Sequence, residues 1–140
     1  VGISTFLNGN FVMRLGMWRL SYLAIFIFGA NPLLYVILFW NTENPPLAIL
    51  LIFMAIQFFT IGFIFGNIRA IAMEPIGHIA GIGAAITGFV ATLMAVPIAN
   101  FIGGFVDTTA LPLFIGFSIF GVLSLLIFTR MKVLRARALM

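Results

Sequence analysis

Apolar residues arrive in runs of about twenty, separated by short polar or proline-bearing turns. Across residues 18–40, 47–65, 79–103 and 110–129 most positions are Leu, Ile, Phe, Val, Ala, Gly or Met. A helix rising 1.5 Å per residue needs about 20 such residues to cross a hydrocarbon core of about 30 Å. The pattern predicts an all-α transmembrane chain with four spanning helices. Residues 1–12 are apolar but short, and Asn8-Gly9-Asn10 interrupts them; they read as the end of a fifth, preceding span. The first residue is Val, which fits a chain that begins inside a longer protein. Residues 130–140 read as a basic tail.

Punctuation inside the runs refines this. Trp18, Tyr22 and Trp40 fall near the ends of the first span, where interfacial aromatics belong. Asn31-Pro32 falls in its middle and predicts a kink, because proline removes a backbone donor and crowds the turn before it. Pro45 and Pro46 suit the first turn of the second span, which carries Gln57, Thr60 and the four-apart pair Gly62 and Gly66. Residues 67–78 read as a loop, with Pro75 disfavouring helix at Glu74. The third span is lined with Gly81, Ala84, Ala85, Gly88, Ala91, Thr92, Ala95 and Ala99, spaced to share one helical face, and Pro97 bends its last third. Pro112 opens the fourth span.

Composition turns the pattern into a membrane assignment. Hydrophobic residues make up 64% of the 140 and charged residues 7%, with a mean hydropathy of +1.28. A soluble domain carries about 25% charged residues, so this chain could not cover its surface in water. Cysteine is absent, which removes disulfide, zinc and iron–sulfur chemistry, and no cofactor or metal is expected. The net charge of +4 does not point to nucleic acid, because the basic residues cap apolar runs. If the chain crosses four times, Arg14, Arg19, Arg69, Arg130, Lys132, Arg135 and Arg137 all fall on one side. The other side holds Glu43 and Asp107. The positive-inside rule then makes the basic side, with the C-terminus, cytoplasmic. The expected setting is a bacterial inner membrane.

Candidate chemistry is sparse. No ionisable residue sits mid-span, so a proton-coupling acid would lie outside this chain. One histidine, no carboxylate at depth and no Walker-type loop argue against a protease or an ATPase, and the chain does not read as an enzyme. Gln57, Thr60, Thr87, Thr92 and Asn100 are the polar groups that could line a substrate cavity. Gln57 leads, because an amide cannot satisfy itself as a threonine hydroxyl can on its own helix. Gly62, Gly66, Gly77, Gly81, Ala84, Gly88 and Pro97 are candidates for close helix packing or for a face that slides during gating. Asn67, Arg69, Glu74, Pro75 and His78 form a candidate cytoplasmic hinge, in which Arg69 could pair with Glu74. His78 could sense pH or simply be solvated.

The run from Gly66 to Gly88 resembles a known family. Phe65-Gly66-Asn67, Ala70, Ala72, Met73-Glu74-Pro75, Gly77-His78, Ala80-Gly81, Ala84-Ala85 and Gly88 look like the tenth-to-eleventh span junction of Bcr/CflA-type drug-resistance transporters, in the major facilitator superfamily. Leu111-Pro112-Leu113 and Gly116-Phe117 are similar to the opening of the last span, and Asn8 through Arg19 to the basic loop before the ninth. That loop lacks the superfamily's Asp, Gly83 stands where Ala is more usual, and Arg69 replaces a neutral residue. The resemblance implies the C-terminal third of a major-facilitator helical bundle that exports drugs in exchange for protons by alternating access. The second and third spans here would line the cavity. The partners would be the bilayer, the N-terminal part of the same transporter, a small-molecule substrate and protons. A rival reading is a self-contained four-span interaction or assembly protein without transport activity.

Overall fold

The computed structural model describes residues 2–41 and 44–138. Glu43, one of the two acids placed on the outer side, lies outside the described residues, as do the two ends of the chain. Among the described residues the structure is all-helical: α1 (Gly2–Leu15), α2 (Met17–Phe39), α3 (Leu47–Met73), α4 (Ala80–Gly103) and α5 (Leu111–Ala138), with a 3-10 turn over Glu74–Ile79. Three helical stretches are long and apolar enough to cross a membrane: Met17–Phe39, Leu47–Gly103 and Leu111–Arg137. The middle stretch of 57 residues contains α3, the turn and α4.

Element ends depart from the expected ones for local reasons. Helix α3 does not stop at Phe65 but runs on to Met73, so Asn67 and Arg69 are helical and the loop shrinks to the 3-10 turn. No breaker intervenes before Pro75, which opens that turn, and Ile76 leaves helical geometry at φ −120°, ψ 31°. Helix α5 continues through Arg130–Ala138 instead of ending at Thr129. Its last residues are good helix formers, and cations in a final turn complement the helix dipole. Helix α1 runs through Asn8-Gly9-Asn10 and ends at Leu15, just before Gly16. Gly16 sits at φ +77°, a conformation a side chain would strain, and this sets the sharp entry into α2.

Helices α2 and α5 lie antiparallel and form the main seam. Tyr35 stacks on Phe114 with ring centroids 3.7 Å apart, and Phe28 meets Phe117 edge-on. Gly29 and Gly121 bring the backbones together: a Cβ on Gly121 would lie 2.6 Å from the Cα of Gly29. Trp18 stacks on Phe128 at 5.3 Å, and Lys132 lies over the Tyr22 ring at 5.5 Å. Helix α3 packs on the other side of α2, and α1 packs on α3. Helix α4 is different. Ile102 reaches Gly116 of α5 near one end, and Gly83 packs on Met73 and Ile76 at the other. Between those points α4 stands off, largely exposed.

The two ends of the bundle differ in charge. Asn44 ties the α2–α3 and α4–α5 turns together at one end. Its Nδ2 donates to the Thr108 carbonyl (2.6 Å), and its Oδ1 accepts from the Ala110 N–H (2.9 Å). Asp107 belongs to this end. At the other end Arg135, Trp18 and Glu74 meet, beside the remaining cations of α1, α2, α3 and α5.

Candidate functional site

Because α4 stands off, a cavity of about 850 Å³ opens between it and α2, α3 and α5. Its wall is apolar, with Phe28, Ile61, Ile68, Ile98, Phe117 and Met131 among its residues and, among the described residues, Ser124 as the only polar side chain. The size falls in the range of small-molecule pockets, about 300–1,000 Å³. Among the described residues its wall carries no carboxylate, imidazole or amine, a lining suited to an apolar group.

None of the five predicted cavity residues lines this space. Gln57 is fully buried between α2 and α3, where its Oε1 accepts from Asn31 Nδ2 (3.0 Å) and its Nε2 donates to the Phe28 carbonyl (3.2 Å). Asn31 Nδ2 also donates to the Phe53 carbonyl at 3.0 Å. The physical reason is local. Pro32 has no N–H, so the carbonyl four residues earlier, Phe28, loses its helical partner. In an apolar medium that carbonyl needs a donor, and Gln57 supplies it. Thr60 is buried and donates to its own helix at Gln57 O (2.8 Å). Thr87 and Thr92 likewise donate to Gly83 O and Gly88 O (2.8 and 2.9 Å). Asn100 is exposed on α4.

The packing and gating candidates divide in the same way. Gly62 is buried in the α3 interface, and a Cβ on Gly66 would lie 3.2 Å from Asn8 Nδ2, so a helix does come close there. Nothing lies within 4 Å of a Cβ added at Gly77, Gly81 or Gly88, and Ala84 and Pro97 are exposed. At Gly81 and Gly88 the small-residue face of α4 therefore has open space beside it, while Ala95 and Ala99 of the same face line the cavity. The close backbone approach is instead at Gly29 and Gly121, a pair that the composition of any single span does not single out.

The hinge residues are reassigned as well. Asn67 is buried in a reciprocal amide pair with Asn8, at 3.1 and 2.9 Å, that clamps α1 to α3. Arg69 does not pair with Glu74. Five residues apart on a helical path, the two do not face each other, and Arg69 lies over the Phe65 ring at 5.8 Å. Glu74 instead accepts two hydrogen bonds from Arg135, both 2.8 Å, and the Arg135 guanidinium also lies 4.8 Å above the Trp18 ring. The paired guanidinium holds the Glu74 carboxyl below the usual carboxylate range. This clasp is therefore complete above that range and is released as pH falls through the lowered value. Pro75, Gly77 and His78 are exposed in the turn.

Asn8, Asn31, Asn44 and Arg135 make contacts that the sequence pattern does not indicate. Each joins elements remote in sequence. Compared with known proteins, the chain matches no family model, no curated protein and no solved structure.

Proposed function

We propose that this chain is part of a secondary active transporter of the Bcr/CflA type, in the major facilitator superfamily. It would export drugs or other small molecules by alternating access in exchange for protons. The observation that carries the reading is α4: the Gly81 and Gly88 part of its small-residue face has open space beside it while α2, α3 and α5 are knit together, and its Ala95 and Ala99 part lines an apolar cavity of drug size. A helix face of small residues in a membrane suits close, slippery contact with another helix, the requirement of a moving interface. The remainder of the transporter supplies that helix and the coupling acid. In this reading α3 and α4 cross separately. Their 57 residues, taken as one rod, would measure about 85 Å, nearly three hydrocarbon cores. The chain then crosses four times, with the basic end and the C-terminus in the cytoplasm of a bacterial cell.

The exposed α4 face equally favours a second reading, a four-span protein whose only work is to dock another membrane protein. An efflux assay separates the two. Cells expressing the full-length protein should accumulate several-fold less ethidium than cells without it, and a protonophore should abolish the difference. Gly88→Leu should remove efflux while leaving the amount in the membrane unchanged, since among the described residues nothing lies within 4 Å of a Cβ added there. Equal ethidium levels with and without the protein would overturn the transporter reading. Full efflux by Gly88→Leu would overturn the role of the α4 face.

A further inference from the structure

The helical extension of α5 beyond its apolar part carries Arg130, Lys132, Arg135 and Arg137. A flexible basic tail would spread these charges in all directions, whereas a helix sorts them. Lys132 and Arg135 share the face turned to the bundle, where Lys132 covers Tyr22 and Arg135 covers Trp18 and grips Glu74. Arg130 and Arg137 lie two turns apart, about 10 Å, on the opposite face. Both are exposed.

That opposite face continues down the helix as Leu123 and Leu126, with Leu134 between the two arginines, and all three leucines are exposed. In a membrane-spanning α5 this is the surface that meets acyl chains, and the two arginines stand over it at headgroup level. Arginine side chains bury their stems along apolar surface and keep the guanidinium at the polar boundary. A guanidinium offers a planar fork of N–H donors that matches phosphate oxygens.

We infer that the outer face of α5 binds an anionic phospholipid, with the headgroup phosphate on Arg130 and Arg137 and the acyl chains along Leu123 and Leu126. Charge complementarity favours a lipid with net negative charge over a zwitterionic one. The inward pair of cations holds the extension rigid against α2 and the 3-10 turn, so the outward pair is pre-placed. The inference rests on the membrane placement and is independent of transport.

The test is titration of the purified full-length protein in detergent with phosphatidylglycerol or phosphatidylcholine, with bound lipid counted by native mass spectrometry. Each juxtamembrane cation is worth about fivefold in affinity for anionic lipid, so the pair predicts a preference for phosphatidylglycerol of roughly 30-fold. Arg130→Gln with Arg137→Gln should erase it, and Arg130→Lys with Arg137→Lys should restore most of it. Arg14→Gln with Arg19→Gln, which removes the same charge elsewhere at this end, should retain it. Millimolar inorganic phosphate should not displace the lipid. The inference is overturned by equal retention of the two lipids, by a preference that survives the Arg130/Arg137 glutamine variant, by equal loss in the Arg14/Arg19 variant, or by displacement with phosphate. If the double glutamine variant does not fold, Arg137→Gln alone decides, with an expected loss of about fivefold.

Discussion

Pro32, Phe28, Gln57 and Asn31 show one residue's defect met by another's side chain. The carbonyl that Pro32 leaves without a helical donor takes the Gln57 amide, and Asn31 holds that amide by its oxygen. Interhelical side-chain bonds in membranes average about 0.6 kcal/mol and reach about 1.7. Gln57→Leu should therefore lower stability by about 1 kcal/mol in a bicelle unfolding titration. In a Pro32→Ala background the same change should cost distinctly less, because the Phe28 carbonyl regains a backbone N–H. Equal costs in both backgrounds would mean that Gln57 has another task. This pairing was partly legible: Asn31 and Gln57 each lie thirteen residues from Asn44, where the α2–α3 hairpin turns. The polarity of Gln57 was equally legible, but polarity alone could not say whether the amide faced a cavity or a neighbour.

At the scale of helices, apolar run lengths located the long helices, while their ends followed rules outside the runs. Helix α3 overran Phe65 because a helix stops at a breaker and not where hydrophobicity declines; α5 overran Thr129 for the same reason. The α2–α5 seam depends on Gly29 and Gly121, where backbone meets backbone. Gly121→Leu should separate the two helices, disrupt the Tyr35–Phe114 stack and cost about 1–3 kcal/mol, since backbone cannot yield as a side-chain tip can. Gly81→Leu on α4 should cost almost nothing in the same titration. A reversed ranking would show that α4, and not the α2–α5 seam, is the tightly packed helix. One span of this chain is visibly rich in small residues and makes little contact; another holds a single decisive glycine. Richness in small residues marks capacity for close approach, and only the partner's position shows where it is used.

For the whole molecule, charge and connectivity agree. The Glu74–Arg135 clasp and the Trp18–Phe128 stack gather one end, and Asn44 ties the two turns of the other to each other. If the basic end is cytoplasmic, a cysteine at Asp107 should react with a membrane-impermeant maleimide on intact cells, and one at Arg137 only after permeabilisation. Labelling of position 137 on intact cells would invert the orientation. Hydropathy and proline positions, read alone, determined that the chain is helical and carries runs long and apolar enough for a bilayer. These are properties of local composition, which a membrane enforces segment by segment because no backbone group can be left unpaired in hydrocarbon. The tertiary structure decided the rest: that Gln57 mends the proline break, that Arg135 and not Arg69 takes Glu74, and that α4 stands away from its neighbours. Those outcomes depend on which faces of distant helices meet, and contact between faces is set by the packing of the whole bundle.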